Sequence, residues 1–291
     1  MREKILPLFG FIEIAVQFIL CSKEIQMTTS QFGTPMTPSQ YADNWEGDSQ
    51  LLASNGQYRW MARQLGPQDI VLEIGCGTGI STIELVRSAG CKVVVVEESS
   101  ECISRAQARL IEAGMSASIC PTSSLSSLMF NADEQVKFFA VDFLDTMLLS
   151  AMPNNFFSAV VCWLMGTCPD VLCRHLGKSV SEIEQCDPAN YKVKVLAQCF
   201  VAARTVLRAN GKVHLVDRYA LPSWKQKDEF RMHVATGISE IAGDAYVVTK
   251  DNVYFNRIDT NFGVSRIQYV RPSNEGIASV KVVGSVLAEL R

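Results

Sequence analysis

The sequence predicts an α/β protein: a mostly parallel sheet with helices on both faces and an antiparallel strand at one edge. Three observations predict it. Short apolar runs alternate with amphipathic stretches from about residue 70 to 218, the rhythm of strands joined by crossover helices. Two of those runs end in an acid, Glu97 in CKVVVVE and Asp142 in VKFFAVD. A third run, IVLEIG, passes straight into a turn with glycine at 75, 77 and 79.

The first 40 residues are predicted to lie outside the main domain, as an apolar segment and a linker. The apolar stretch runs from Ile5 to Cys21, with Pro7 near its start and Glu13 and Gln17 within it. A membrane span wants about 20 mostly apolar residues, and a carboxylate at mid-membrane is costly. A docking helix is therefore the plainer reading, and an anchor at 5–21 the alternative. No small-residue cleavage site follows, and Met27 would be a natural alternative start. Residues 22–40 are polar, with Gly33, Pro35 and Pro38, and read as the linker.

One or two helices over 41–65 precede the core. IVLEIG (70–75) is the first strand. Ser81 with Glu84 forms an S-x-x-E capping box that opens a helix through Ala89, and Gly90 stops it. CKVVVVE (91–97) is the second strand, its four valines suited to burial on both faces. A helix over 100–113 closes at Gly114. Residues 115–135, MSASICPTSSLSSLMFNADEQ, are Ser-rich and read as an inserted loop. VKFFAVD (136–142) and FFSAVVCWL (156–164) are the third and fourth strands. After a long stretch over 165–186, Asp187 and Pro188 start a helix as N-cap and first residue. Val193, Leu196, Phe200, Ala203 and Leu207 keep helical spacing, and Asn210-Gly211 ends it. KVHLVD (212–217) is the fifth strand. A lid helix over 222–242 and an edge hairpin, 253–258 with 264–270, complete a domain spanning 41–271. Residues 272–291 form a C-terminal extension, with a last helix over 275–291.

Bulk properties narrow the function. The chain has 291 residues, is 48% hydrophobic and carries a formal net charge of −3. It has no general attraction to nucleic acid or to an anionic membrane. Its ten cysteines include no C-x-x-C pair, and several sit in apolar runs. That usage fits a reduced, cytoplasmic setting.

The glycine turn follows a strand tip, where bare backbone allows a sharp bend and close approach of a ligand. Open α/β sheets bind nucleotides at such an edge. Glu97 could accept hydrogen bonds from both hydroxyls of a ribose, and Asp142 could reach an adenine amino group. Glu98 is the alternative to Glu97 if the strand ends one residue later. Together, EIGCGTG, VVVVEESSECISRA, AVDF and VLRANGKVHLVD resemble the segments of class I S-adenosylmethionine-dependent methyltransferases. The similarity spans about residues 70–218. It implies a Rossmann-like, seven-stranded, mostly parallel sheet and S-adenosyl-L-methionine as cofactor. By position, it implies that Glu73, Gly75, Cys76, Gly77 and Gly79 shape the methionine and ribose pocket. Glu97 would hold the ribose, Asp142 and Phe143 would bracket the adenine, and Cys162 would border the site. Phe157-Ser158 departs from the pattern, since many members have an acid there.

The implied reaction moves a methyl group to an O, N or C atom of a small-molecule acceptor. His175 and His233 are candidate bases, whereas His214 sits inside a strand and reads as core. Tyr41, Trp45, Trp163 and Tyr219 are candidate substrate contacts. The spacing of Cys162, Cys168, Cys173 and His175 does not match usual structural zinc sites, so no metal is expected. Three alternatives stand beside this reading. One is a non-catalytic cofactor-binding partner or regulator, and another a protein or RNA methyltransferase. The third is an NAD-dependent oxidoreductase, whose G-x-G-x-x-G would need glycine where Ile80 stands.

Overall fold

The structure is a computed structural model that describes residues 37–166, 168–184, 186–258 and 280–291. The N-terminal apolar segment and the expected strand at 264–270 lie outside the described residues. No helix among the described residues is long and apolar enough to cross a membrane.

A nine-stranded sheet forms the centre. Its strands are β1 (Ile70–Ile74), β2 (Lys92–Glu97), β3 (Ala117–Cys120), β4 (Val136–Ala140), β5 (Phe157–Trp163), β6 (Leu207–Leu221), β7 (Tyr246–Val247), β8 (Val253–Arg257) and β9 (Val280–Leu290). The order is β3-β4-β2-β1-β5-β6-β9-β7, with β8 also paired to β9. Strands β1 to β6 are mutually parallel, and β9 runs antiparallel to β6. Two features raise the count above the seven expected. Strand β3 extends one edge, out of the Ser-rich segment that reads as loop. At the other edge, β7 and β8 share one side of β9, meeting residues 289–290 and 282–286 respectively.

Helices α1 (Pro38–Ser54), α2 (Gln57–Leu65), α3 (Ile80–Glu84), α4 (Ser100–Glu112), α5 (Thr146–Ala151), α6 (Pro169–Leu176), α7 (Asp187–Val206) and α8 (Lys227–Ala242) cover the sheet. Two apolar layers result. One packs α1, α2 and α4 against Val71, Val93, Val95, Phe138 and Val161. The other packs α7 and α8 against Leu72, Val94, Val96, Val160 and Leu215. Alternate valines of β2 thus enter opposite layers, as a doubly covered strand requires.

Several local expectations are corrected. Helix α1 begins at Pro38, inside the expected linker, because Thr37 and Gln40 form a capping box. Ser81 does not cap α3; Gly79 does, at φ +86°, and the Ser81 hydroxyl turns to the Cys76 carbonyl. Residues 85–89 then continue as a π-helical turn up to Gly90. Asp187 is the first residue of α7, and Cys186 precedes it as the cap. That helix ends at Val206, short of Asn210-Gly211, because β6 starts at once. Over its described residues the expected last helix is instead strand β9. Strand β9 lies between β6 and the β7–β8 edge, with ten residues in register from Lys212↔Glu289 to Leu221↔Val280. Its content of valine, stiff at χ1 and suited to a pleated surface, accounts for the strand.

Candidate cofactor and acceptor site

Two cavities open side by side beyond the carboxyl ends of the parallel strands. The first, of about 330 Å³, is lined by Gly75, Gly77, Glu97, Glu98, Asp142 and Phe143, all singled out in the sequence. Tyr41 and Trp45 of α1 close one side, and Arg174, Tyr191 and Val195 another. The second, of about 250 Å³, lies between β6, α7 and α8, and includes Cys162, Tyr219 and His233. Met165, just past β5, lines both.

The glycine turn is built for close approach. Gly75, Gly77 and Gly79 all have positive φ, at +74°, +52° and +86°, which other residues adopt at a cost. A Cβ on Gly77 would stand 1.7 Å from Trp45 Nε1, so the indole lies directly over the bend. A Cβ on Gly79 would stand 2.8 Å from the Ala106 backbone, so this glycine lets α4 pack closely. Helix α1 is held on α4 by Arg105–Asp43 at 2.6 Å and Arg109–Glu46 at 2.5 Å.

Both strand-tip acids face the first cavity. The Gly77 and Ser99 N–H groups donate to the Glu97 carboxylate at 3.3 and 2.9 Å. Burial pushes the Glu97 pKa up, against these two bonds, which favour the charged form. Glu97 thereby ties the tip of β2 to the glycine turn. The Leu144 N–H donates to Asp142 Oδ1 at 2.8 Å, and His175 Nε2 lies 2.8 Å from Oδ2. Glu98 pairs with Arg174. Glu98, Asp142 and His175 bring possible ligand atoms within 4.8 Å of one another; the set Cys162, Cys168, Cys173 and His175 is not brought together so.

Other singled-out residues sit elsewhere. Glu73 is wholly buried beneath the turn, where the Thr82 hydroxyl donates to Oε2 at 2.7 Å. Burial raises its pKa to about 7. Cys76 is buried beside it, and burial pushes its thiol well up. His175 packs on Tyr191, ring centroids 5.2 Å apart, and lines neither cavity. Trp163 also lines neither. Its Nε1–H donates to His214 Nδ1 at 3.1 Å, and His214 Nε2 meets Ser285 Oγ at 2.7 Å. An indole nitrogen can only donate, so Nδ1 is an acceptor and the ring proton sits on Nε2. Burial holds the His214 pKa down at about 3, so the ring stays neutral.

Sequence reasoning did not single out Arg174, Tyr191, Lys192, Val195, Leu196, Glu229 and Phe230 as cavity-lining residues. All lie on helices. Along α7, Tyr191 and Val195 line the first cavity, and Lys192 and Leu196 the second. Lys192 pairs with Asp217 of β6.

Residues 71–135 match a family model described as a methyltransferase domain. No curated protein matches the sequence. Among solved structures, geranyl diphosphate C-methyltransferase from Streptomyces coelicolor A3(2) is similar at 14% identity. That likeness covers 81% of this chain and 76% of that one, with a TM-score of 0.46. A SAM-dependent methyltransferase from Aquifex aeolicus is similar at 13% identity, covering 88% and 100%, with a TM-score of 0.45. The N-methyltransferase NodS from Bradyrhizobium japonicum WM9 is similar at 13% identity, covering 84% and 86%, with a TM-score of 0.41. The matched segment holds the glycine turn, Glu97 and Glu98, so this part of the chain is similar to a methyltransferase domain.

Proposed function

We propose that this chain binds S-adenosyl-L-methionine in the first cavity and methylates a small molecule held in the second. The observation that carries the reading is the join between Glu97 and Gly77 in the wall that also holds Asp142. The donor set suits an adenosine. Each Glu97 oxygen accepts one backbone N–H and keeps a lone pair for a ribose hydroxyl. Gly75 and Gly77 leave bare backbone beside it, and Phe143 offers an apolar face. Bound S-adenosylmethionine supplies a methyl group already activated on sulfur.

The protein then has to orient and to exclude water, and orientation alone can be worth about 7–11 kcal/mol. Glu97 and Asp142 fix the two ends of the nucleoside. Trp45 and Tyr41 cover the turn, and Met165 stands where the two cavities meet. His233 is the histidine on the second cavity's wall and is proposed as the base for an acceptor that arrives protonated. A second cavity beside the first favours an enzyme over a cofactor-binding partner without catalysis.

Thermal shift and calorimetry test the reading. S-adenosylhomocysteine is expected to bind and to raise the melting temperature, and NAD is expected to do neither. Stabilisation by NAD alone would overturn it in favour of an oxidoreductase.

A further inference from the structure

Resting on the reading of the second cavity as the acceptor site, we infer that the acceptor is an amine carried on an apolar body. The walls are mainly apolar, with Met165, Leu196, Leu215 and Ile238 among them. Tyr219 and Phe230 add aromatic surface, edge to face with centroids 5.9 Å apart.

Among the described residues, three charged side chains line this cavity: Lys192, Asp217 and Glu229. Lys192 and Asp217 form an ion pair and offset each other. Glu229 forms no ion pair among the described residues. The wall therefore presents one carboxylate over.

That balance sorts the possible guests. A carboxylate or phosphate would lose hydration and meet a like charge. An alcohol would gain a hydrogen bond only. An ammonium group gains the Glu229 carboxylate and the faces of Tyr219 and Phe230, which attract cations. His233 stands one helical turn from Glu229, on the same face of α8. It takes the proton that the ammonium must shed. The N–H bond breaks, its electron pair stays on nitrogen as the lone pair a methylation needs, and the imidazole becomes imidazolium.

The test is a calorimetric titration of the full chain at pH 7 with phenylbutylamine, phenylbutanol and phenylbutyrate, with and without S-adenosylhomocysteine. The amine is expected to bind about tenfold more tightly than the alcohol, and the carboxylate most weakly. Glu229→Gln should narrow the amine-to-alcohol gap by about two- to fivefold, the range for an exposed ion pair, and leave S-adenosylhomocysteine affinity unchanged. Equal or tighter binding of the alcohol or the carboxylate overturns the inference. So does failure of the amine to bind, or an unchanged gap in Glu229→Gln. Failure of S-adenosylhomocysteine to bind would instead overturn the cofactor reading, since the amine titration is also read without it.

Discussion

Replacing His214 with glutamine should leave a protein that gains stability, relative to the native chain, as pH falls from 7 to 5. Replacing Glu73 with glutamine should do the reverse. Both side chains are completely buried, and burial moves their pKa values in opposite directions. The unfolded chain protonates its histidine near 6.5, whereas the folded chain keeps His214 neutral down to about 3. Between those values the unfolded state binds more protons, so stability is lost as pH falls. Over pH 7 to 5 that loss integrates to about 2 kcal/mol. Glu73 is raised from 4.5 to about 7. Here the folded state takes the proton first, so stability is gained as pH falls to 5 and lost as pH rises through 7. The gain over the same interval is also about 2 kcal/mol. In the native chain the two effects nearly offset, and each variant exposes the survivor. Urea unfolding at pH 5, 6 and 7 reads this as a slope. His214→Gln also disturbs its bonds with Trp163 and Ser285, but that penalty shifts the baseline and leaves the slope. Other titrating groups are common to all three proteins and drop out of the comparison. If both variants track the native chain across this range, the assignment of neutral histidine and raised carboxyl is wrong.

Three further outcomes follow from the geometry. Glu97→Ala should weaken S-adenosylhomocysteine binding at least about tenfold by calorimetry, the loss expected for a charged hydrogen-bond acceptor, while the far-UV circular dichroism stays unchanged; undiminished affinity would mean the ribose is held elsewhere. Gly77→Ala places a methyl 1.7 Å from Trp45 Nε1 at φ +52°. It should shift the tryptophan fluorescence and destabilise the turn by about 1–2 kcal/mol, and an unmoved spectrum would contradict the contact. Gly284→Ala sets a Cβ 2.6 Å from the Tyr219 ring and 2.8 Å from that of Phe255. Overpacking should cost about 1–3 kcal/mol, read as a lower melting temperature; an unaltered one would show that the rings have room to move.

The parallel core was legible because its signals are local. Each of the strands β1, β2, β4 and β5 is a short apolar run, and the acids that line the first cavity stand at the tip of β2 and just past β4. Glu97, Asp142 and the glycines could therefore be placed by counting. What escaped depends on distant partners. Strand β3 has four residues and reads as part of a Ser-rich loop. It becomes a strand only because β4 offers Val136 to Phe139 as a template. Strand β9 carries Gly284 in its middle, which weakens a strand by local preference, yet the rings of Tyr219 and Phe255 need that gap. Helical lining residues escaped for a related reason. Helical spacing shows that α7 is amphipathic, but not which ligand space each face meets. The capping box at Ser81 misled because Gly79, in the left-handed conformation, already ends the turn two residues earlier.

Helix α7 makes one rod serve two chambers. Tyr191 and Val195 stand on one flank, Lys192 and Leu196 on the next. Neighbours along a backbone cannot move independently, so a rotation that draws one flank inward carries the other with it. A ligand in either chamber would therefore rest on the same helix as a ligand in the other.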